Sequence, residues 1–457
     1  MLVLPDNFAG TNKLPMKEYV YALCLMILPM AVWAQIPEPD SPELLTLEEV
    51  WKIAAAQNRH LLLADLNRQE SKIAILEAKD KLLPELTLAG DFRLNSKFLI
   101  YDNGLFSSPQ DVPISKYGYA AGYHFNLNLY NGGKDRRAVR IKEEEELHRQ
   151  YEFDLQRNNV NYAIAVAYYD LYKFLQFRDF ITAEIAAEKK QLSTIESLNR
   201  NGIVLKSDVL RTSLKLSQME LSFSDVSKKI EIASQRLNTL MGREAEQSVA
   251  IPYRELLLTD SIKNTGYPEY MDVALNNSPE LKIASSEIRI SELTEKQTRS
   301  ARLPKVSLYS DYNYTYPQVS FYPYSNALWG YGQTGVRMQF SLDNLYKSKH
   351  SIAHARTISL QQKEKAGIRK DEISLQVKEA YLQQIQASES VETAEKNIAQ
   401  STETVRVIRN SYLNQESLLT DLLDAENVLL EARFSLTSAL VNLKLSHIRL
   451  LAITGTL

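Results

Sequence analysis

Residues 410–425 read NSYLNQESLLTDLLDA and form a polar break between two long helical stretches near the end of the chain. Residues 336–454 around this break contain no proline and a single glycine, Gly367. Because proline and glycine interrupt helices, this composition predicts one very long helix that leads to the break and a shorter helix that returns. Asp421 and Asp424 lie three residues apart, on one face of the returning helix just past the turn.

An earlier part of the chain has the same organisation. Residues 134–241 contain no proline and one glycine, Gly202, and predict another hairpin whose descending helix, from Lys134 to about Leu198, would be about 100 Å long. Matching segments recur at a slowly drifting offset, which indicates a tandem duplication. The paired segments are Leu83-Pro84 with Leu303-Pro304, Phe125-Asn126-Leu127 with Phe340-Ser341-Leu342, Ser207-Asp208-Val209-Leu210 with Thr420-Asp421-Leu422-Leu423, and Arg236-Leu237 with Arg449-Leu450.

The duplication divides the mature chain into two repeats of one plan. The first repeat is predicted at 35–242 and the second at 270–457, with 243–269 as the linker between them. The hairpin tips are predicted near 198–207 and 411–420. Each repeat should contain a helix, two strands and a long helical hairpin.

A helix and two strands are predicted before each hairpin. Thr46-Leu47-Glu48-Glu49 has the form of a capping box, and the helix that it starts is expected to run to about Leu83, where Pro84 ends it. Beyond this proline, apolar and polar residues alternate. Segments of about ten alternating residues predict four strands. These lie at about 85–96, 117–130, 304–316 and 331–343.

The strands have the length needed to cross a bilayer at a tilt. The loop of the second pair contains Phe321, Tyr322, Tyr324 and Trp329, a density of aromatic residues that suits a membrane interface. Two alternatives remain open at this point. A half-buried strand in a soluble sandwich alternates in the same way, and an aromatic surface could also bind carbohydrate.

The first residues are expected to be a targeting signal. Residues 1–34 comprise an upstream extension, a basic start at Lys17 and a short apolar segment, which together predict a signal peptide cleaved before Gln35. Cys24, the only cysteine, lies in the apolar segment without a lipidation context and is interpreted as an apolar signal residue. The mature chain would then have no disulfide, no cysteine nucleophile and no cysteine-based metal site.

Composition and motifs argue against nucleic-acid binding and catalysis. The 53 basic residues nearly balance the 56 acidic ones, so the chain has no electrostatic footprint for nucleic acid. No nucleophile elbow, phosphate loop or paired-acid site occurs in the sequence. His350 and His354 are four residues apart and could share a metal ion, but no third ligand is near them in sequence, so they are interpreted as solvated positions. We therefore expect no enzyme activity, no cofactor and no metal.

Four strands cannot close a barrel by themselves. In lipid, an open sheet edge leaves backbone groups unpaired at several kcal/mol each, and the smallest usual barrel has about eight strands. Several chains must therefore share one barrel, and a trimer would supply about twelve strands. The predicted fold class is mainly α with membrane β: long α-helical hairpins packed into a hollow cylinder, and four transmembrane strands per chain in a shared barrel. Such an architecture is a conduit.

The chain resembles the TolC-type outer-membrane factors of bacterial efflux and type I secretion over essentially its whole mature length. The motifs that carry the resemblance are the duplicated element at 277–281 (NSPEL), the strand-to-helix segment at 129–133 (LYNGG), and a tip motif. In the tip motif a glycine is followed six residues later by an aspartate, as at Gly202. In the second copy Gln415 replaces the glycine and Asp421 is kept.

The resemblance implies a homotrimer with a periplasmic α-helical tunnel whose entrance is narrowed by rings of aspartates. Asp421 and Asp424 fall at the ring positions, where six carboxylates in a trimer would favour cations. Asp208 and Tyr412 match residues that latch the tip closed, although Ser417 stands where a basic partner is expected. The residues expected at the periplasmic tip and adaptor contact are Gly202, Ile203, Val204, Leu205, Asp208, Tyr412, Gln415, Glu416 and Ser417.

The sequence thus predicts a passive exit duct in the outer membrane of a Gram-negative bacterium, with its helical part in the periplasm. By resemblance, its partners would be two further copies of the chain, a periplasmic adaptor (membrane fusion) protein, an inner-membrane pump of the RND or ABC type, and outer-membrane lipid. The alternative is a periplasmic coiled-coil scaffold or adaptor without a pore. That alternative explains the helices but not the four alternating strands between them.

Overall fold

The structure is a computed structural model that describes residues 44–253 and 266–457. The predicted signal peptide at 1–34, with Cys24, lies outside the described residues, and so does the part of the predicted linker at 254–265.

The described residues form eight α-helices and six strands. In chain order these are α1 (Leu47–Gln57), α2 (Arg59–Asp80), β1 (Glu85–Leu94), β2 (Phe98–Ile100), β3 (Gln110–Val112), β4 (Tyr117–Tyr130), α3 (Lys134–Arg200), α4 (Lys206–Met241), α5 (Tyr267–Asn277), α6 (Pro279–Arg299), β5 (Lys305–Tyr316), β6 (Trp329–Gln339), α7 (Asn344–Leu413) and α8 (Leu419–Thr454). The long descending helices α3 and α7 have 67 and 70 residues, and the returning helices α4 and α8 have 36 residues each.

The first predicted helix is in fact two helices. Thr46 forms the expected capping box, but α1 ends after eleven residues and Asn58 turns the chain before α2. The Asn58 side-chain oxygen accepts hydrogen bonds from the backbone N–H groups of His60 and Leu61 at 2.9 and 3.1 Å. Its amide donates to the Leu240 carbonyl at 2.7 Å. Asparagine favours this cap over a helix interior because its side chain competes for nearby backbone groups.

The last strand also ends earlier than the predicted 331–343. Strand β6 stops at Gln339, and backbone hydrogen bonds from Asn344 to the Ser341 carbonyl and from Leu345 to the Leu342 carbonyl turn the chain into α7. The polar loop between the first two strands contains the short β2–β3 hairpin.

Strands β1, β4, β5 and β6 form one antiparallel sheet in that order. Leu88 lies opposite Tyr123, Tyr123 opposite Tyr312, and Tyr312 opposite Gly332. Directly opposed residues project from the same face of a sheet, so the apolar sides of the separate strands join into one continuous surface. The other face is polar and includes a contact between the His124 ring and the Asp311 carboxylate.

The apolar face of the sheet is uncovered within one chain. The exposed fractions on β1 are 64% for Leu86, 80% for Leu88, 72% for Phe92 and 82% for Leu94. A soluble sandwich would bury this face against a second sheet, and none covers it among the described residues, so the sandwich alternative does not hold. Strands β1 and β6 are both open edges of the sheet.

The long helices lie side by side in two rows. Near the sheet, α2 packs on α3, α3 on α6 and α6 on α7; toward the tips, α4 packs on α3, α3 on α8 and α8 on α7. The buried seam of α7 contains Ala380, Ala387, Ala394 and Ser401, which are small residues seven positions apart. A heptad seam of small residues allows neighbouring helices to approach closely along their whole length.

Helix α8 is long and apolar enough, by composition alone, to cross a membrane. It packs instead against α3 and α7, and it carries the buried carboxylate of Glu426.

The two repeats end in the same way, with a glycine packed against the last residue of an earlier helix. Gly242 follows α4 with φ 77°, and Gly455 follows α8 with φ 77°. A Cβ atom at Gly242 would lie 2.3 Å from the carbonyl oxygen of Gln57, and one at Gly455 would lie 2.7 Å from that of Asn277. Since Gln57 and Asn277 are the last residues of α1 and α5, each returning helix ends against the first short helix of its own repeat.

We predict that Gly242→Ala lowers the free energy of unfolding by at least about 2 kcal/mol. Alanine is strained in the left-handed conformation, and its Cβ atom would also clash with the backbone carbonyl of Gln57. The matched control is Gly367→Ala, where a Cβ would meet nothing within 4 Å; it should raise stability by about 0.5–1 kcal/mol. Unfolding of the detergent-extracted protein by heat or denaturant measures both. Equal effects of the two substitutions would contradict the prediction.

Candidate functional site at the helical tips

The same backbone turn closes both helical tips. Gly202 has φ 74° and Gln415 has φ 63°, so both residues adopt the left-handed conformation. In each tip the N–H of the following residue donates to a carbonyl five positions earlier, at 3.0 Å in the first tip and 2.8 Å in the second. Glycine adopts this conformation freely, whereas glutamine is strained by about 1 kcal/mol or more. The turn is therefore kept in the second repeat although its glycine is not.

The aspartate that follows each turn caps the returning helix. The Asp208 carboxylate accepts a hydrogen bond from the Leu205 backbone N–H at 3.3 Å. The Asp421 carboxylate accepts one from the Leu418 N–H at 3.1 Å. A carboxylate at this position also interacts favourably with the positive end of the helix dipole. One role of Asp208 and Asp421 is thus to fix the start of α4 and α8.

The structure brings the two tips into contact. Ile195, Leu419 and Leu423 form a small buried cluster, and Val204, Val209 and Tyr412 pack around it.

Tyr412 and Asp208, the expected latch residues, are close enough to interact electrostatically. Burial raises the pKa of the Tyr412 hydroxyl, and the negative charge of Asp208 raises it further. Among the described residues, no hydrogen bond joins the Tyr412 hydroxyl to the Asp208 carboxylate. Ser417 instead donates to the Ile408 carbonyl of its own hairpin at 3.4 Å.

Asp421 and Asp424 are exposed on one side of α8, while Leu422 and Leu423 between them are buried. Both aspartates line a cleft of about 840 Å³ between α7 and α8, together with Glu431. The two carboxylates therefore face the same space, as their spacing on a helix predicts.

The other predicted tip residues differ in exposure. Ile203 and Leu205 are 57% and 71% exposed, and Glu416 is also exposed. Val204 is half-buried in the contact between the tips. The tips thus combine a packed interior with apolar side chains that face outward.

A buried charge cluster lies behind the tips and joins all four helices of that row. The Lys215 ammonium of α4 contacts the Glu188 carboxylate of α3 at 3.1 Å and the Glu426 carboxylate of α8 at 2.8 Å. Arg409 of α7 contacts the other oxygen of Glu426 at 3.0 Å. The side chains of Lys215, Glu188 and Glu426 are at most 8% exposed.

The surroundings change the acidity of these groups. Burial alone would lower the pKa of Lys215, but its hydrogen bond and attraction to Glu426, helped by Glu188, outweigh burial and raise it. Burial raises the pKa of both Glu184 and Glu188, and Lys215 only partly opposes this. The contribution of these two carboxyls to folding is therefore largest at low pH and is lost as the pH rises through their raised pKa.

Carboxylate oxygens of Glu184, Glu188 and Glu426 lie within 4.8 Å of one another and could in principle hold a metal ion. Lys215 already places a positive charge against two of them, so this cluster contains its own cation. This cluster is not predicted from the sequence. The sequence feature that could have indicated it is a lysine on the buried face of a helix. That face of α4 carries Thr212, Lys215, Met219 and Val226.

Comparison with known proteins identifies the fold and the family. The family model of the outer membrane efflux protein matches residues 50–243 and 270–456. No curated protein matches the sequence significantly. The resemblance to TolC-type factors is thus confirmed at the level of the family.

Solved structures of outer-membrane channels have the same fold. The outer-membrane channel OprN matches with 16% identity and a TM-score of 0.74, covering 90% of this chain and 90% of that one. CusC matches with 14% identity and a TM-score of 0.75, covering 90% and 92%. VceC from Vibrio cholerae matches with 16% identity and a TM-score of 0.72, covering 90% and 96%.

We predict that Lys215→Met destabilises the protein by about 3–5 kcal/mol, because it leaves buried carboxylates without their counter-charge. Because the pKa of Lys215 is raised, its contribution is present at every pH below that value, and the loss should persist from pH 6 to pH 9. Lys189→Met is the matched control: Lys189 contacts Glu220 at 3.3 Å but is 58% exposed, so its loss should change little. Thermal unfolding of both variants is the measurement. If Lys215→Met destabilised the protein only mildly, the cluster would not hold the four helices together.

Proposed function

This chain belongs to the outer membrane efflux protein family, and we propose that three copies of it form one continuous exit duct. The protein is an outer-membrane efflux channel whose helical part lies in the periplasm. In the proposed trimer, the three sheets would join into a twelve-stranded barrel in the outer membrane. The helical hairpins would form the tunnel below it.

The four-stranded sheet carries this proposal. One face is continuously apolar and exposed, and both edge strands have unpaired backbone groups. Lipid would satisfy the apolar face, but it cannot pair the backbone of β1 and β6. Pairing β6 of one copy with β1 of the next would close the edges without any further protein.

The duct would work passively. We propose that it binds no cofactor, catalyses no reaction and receives its substrate from an inner-membrane pump of the RND or ABC type, in an efflux or type I secretion system. A periplasmic adaptor would connect the pump to the tips. The exposed apolar side chains of Leu205 and Leu418, which are equivalent in the two repeats and 71% and 69% exposed, support a docking surface there. Cross-linking from these two positions to a co-expressed adaptor would test this contact.

We propose that Asp421 and Asp424 form the constriction of the duct. Both are exposed, both line the same cleft, and both lie within two turns of the tip. Three copies would bring six carboxylates around one axis. Such a ring would attract cations and bind divalent ions in the pore.

A periplasmic scaffold without a pore is not favoured. It would not need a sheet with an exposed apolar face, and the family match covers both repeats.

We predict that the mature protein extracted in detergent is a particle of three chains. Mass measurement by light scattering, corrected for bound detergent, tests this directly. A monomer that stays in solution without detergent would contradict the shared barrel. A dimer or tetramer would contradict the twelve-stranded arrangement.

We predict that Asp421→Asn with Asp424→Asn weakens block of the channel by divalent cations about tenfold, which corresponds to about 1.4 kcal/mol. Asparagine keeps an acceptor oxygen for the Leu418 N–H, so the change removes charge and leaves the helix cap. The charge-matched control is Glu392→Gln with Glu403→Gln, two exposed residues paired with Lys396 and Arg406 on α7. Conductance in planar bilayers is the readout. Unchanged block in the aspartate variant would exclude a ring at these positions.

A further inference from the structure

Basic side chains collect where the sheet joins the helices. The four junction segments are 77–85, 131–140, 295–305 and 340–349, and they connect β1, β4, β5 and β6 to their helices. Together they contain twelve lysines and arginines but only six aspartates and glutamates, whereas the whole chain has 53 basic and 56 acidic residues. The junction is therefore positively charged on a chain that is slightly acidic.

Hydrogen bonds hold the junction segments next to one another. The Arg137 guanidinium donates to the Gly132 carbonyl at 2.7 Å and to the Ser300 hydroxyl at 2.5 Å. The Arg302 guanidinium donates to the Ser348 hydroxyl at 2.8 Å. These bonds join the start of α3 to the chain just after α6, and that chain to the start of α7, while α2 packs on α3. The basic residues thus form one band below the sheet.

A cavity of about 940 Å³ shows which face of each helix in this band turns inward, because α2, α3, α6 and α7 all line it. Its lining includes Glu70 of α2, Glu145 and Arg149 of α3, Glu287 of α6 and Ile358 of α7. Five basic residues of the junction each lie nine positions from one of these lining residues. Nine residues are two and a half helical turns, so the five side chains project from the opposite, outer face. In the same order as the lining residues, they are Lys79, Arg136, Arg140, Lys296 and Lys349.

These five residues are named the outer basic belt. All five are exposed, and none forms an ion pair within the described part of the chain. Lys81 and Lys347 lie about three turns from Glu70 and Ile358 and so share the inner face. Both have acidic partners: Lys81 contacts Glu77 at 3.9 Å, and Lys347 contacts Asp343 at 2.9 Å. The positive charge of the outer face is left without such partners and can bind anions from outside the chain.

The outer basic belt lies at the depth of lipid headgroups. Each member is six to ten residues from a strand end, and the strands end on this side at 85, 130, 305 and 339. Arg136 and Arg140 both lie in the first two turns of α3, which span about 10 Å. The headgroup layer on each side of a bilayer is about 5–8 Å thick, and long basic side chains extend toward it.

A tyrosine lies between the sheet and the belt. Tyr346 of α7 is nine residues from Ala355, which also lines the cavity, so its ring projects from the outer face as Lys349 does. The Tyr346 side chain is 68% exposed. Tyrosine is enriched at membrane–water interfaces. The outer surface thus changes from apolar strands, through an aromatic ring, to unpaired positive charge, which is the order of chemistry from the acyl chains to the headgroups.

We propose that the outer basic belt binds the headgroups of anionic phospholipids in the periplasmic leaflet of the outer membrane. This inference rests on the proposed placement of the sheet in the membrane as part of a barrel. Guanidinium groups bind phosphate oxygens through paired hydrogen bonds, and a lysine ammonium attracts them as a point charge. An apolar strand face alone can shift along the bilayer normal. Headgroup contacts on four helices fix the depth of the duct.

The test is lipid selectivity of the mature protein reconstituted into phosphatidylcholine bilayers. Spin-labelled phosphatidylglycerol and spin-labelled phosphatidylcholine are the probes, and electron paramagnetic resonance measures the share of each that the protein immobilises. We expect association to favour phosphatidylglycerol by about threefold at low salt. Molar NaCl should remove most of this preference, because it screens exposed charges. Replacing all five residues of the outer basic belt by glutamine should bring the ratio close to one.

The matched control removes the same charge toward the tips. Its five substitutions affect exposed residues of α3 and α4 that form no ion pair among the described residues: Lys190→Gln, Arg200→Gln, Lys206→Gln, Arg211→Gln and Lys228→Gln. This variant should keep the preference for phosphatidylglycerol.

Three results would overturn the proposal: no preference in the unchanged protein, a preference that survives in the belt variant, or an equal loss in the control. Each of these, seen in trimers that enter the bilayer, would leave the proposed duct intact. A protein that does not enter the bilayer at all would overturn the duct and the belt together.

Discussion

The backbone of an outer-membrane sheet must pair all of its hydrogen-bonding groups, and this requirement governs the rest of the molecule. One chain supplies four strands with an apolar face and two open edges. In the proposed duct, lipid would solvate the face but not the edges, so the edges would need strands from other copies of the chain. The helices have no such need, because each satisfies its own backbone. This difference explains why the described chain packs its helices internally and leaves its sheet incomplete.

Duplication gives the two halves the same plan but not the same details. The returning helices have equal lengths, and each ends at a left-handed glycine against the first helix of its own repeat. The connection between strands at 95–116 is longer than the one at 317–328, and it holds a small hairpin. Exposed strand connections tolerate such changes because few packed contacts depend on their length. The helical hairpins tolerate fewer changes in length, because an inserted or deleted residue would move every later residue out of the heptad seam.

The charged cluster behind the tips stabilises the packing of the helices next to the proposed constriction. Lys215 joins the two hairpins by contacting carboxylates from both, and Arg409 contacts Glu426 within the second hairpin. Buried charges of this kind gain little stability over apolar packing, but they are costly to separate. In the proposed duct, such a cluster would favour one arrangement of the four helices next to the constriction. The apolar contact around Leu419 and Leu423 would hold the tips themselves together.

The sequence by itself determined the features that depend on local periodicity and on helix breakers. The absence of proline from the hairpins, the alternation in four strands and the repeated tip motif were enough to predict the helices, the strands and the family. The sequence alone did not determine which distant residues contact one another. The hydrogen bond from Asn58 to Leu240 and the ion pairs of Lys215 both depend on residues far apart in sequence. Only the tertiary structure decided these, because a side chain's partner is set by which helix faces pack, and periodicity identifies a buried face without naming what covers it.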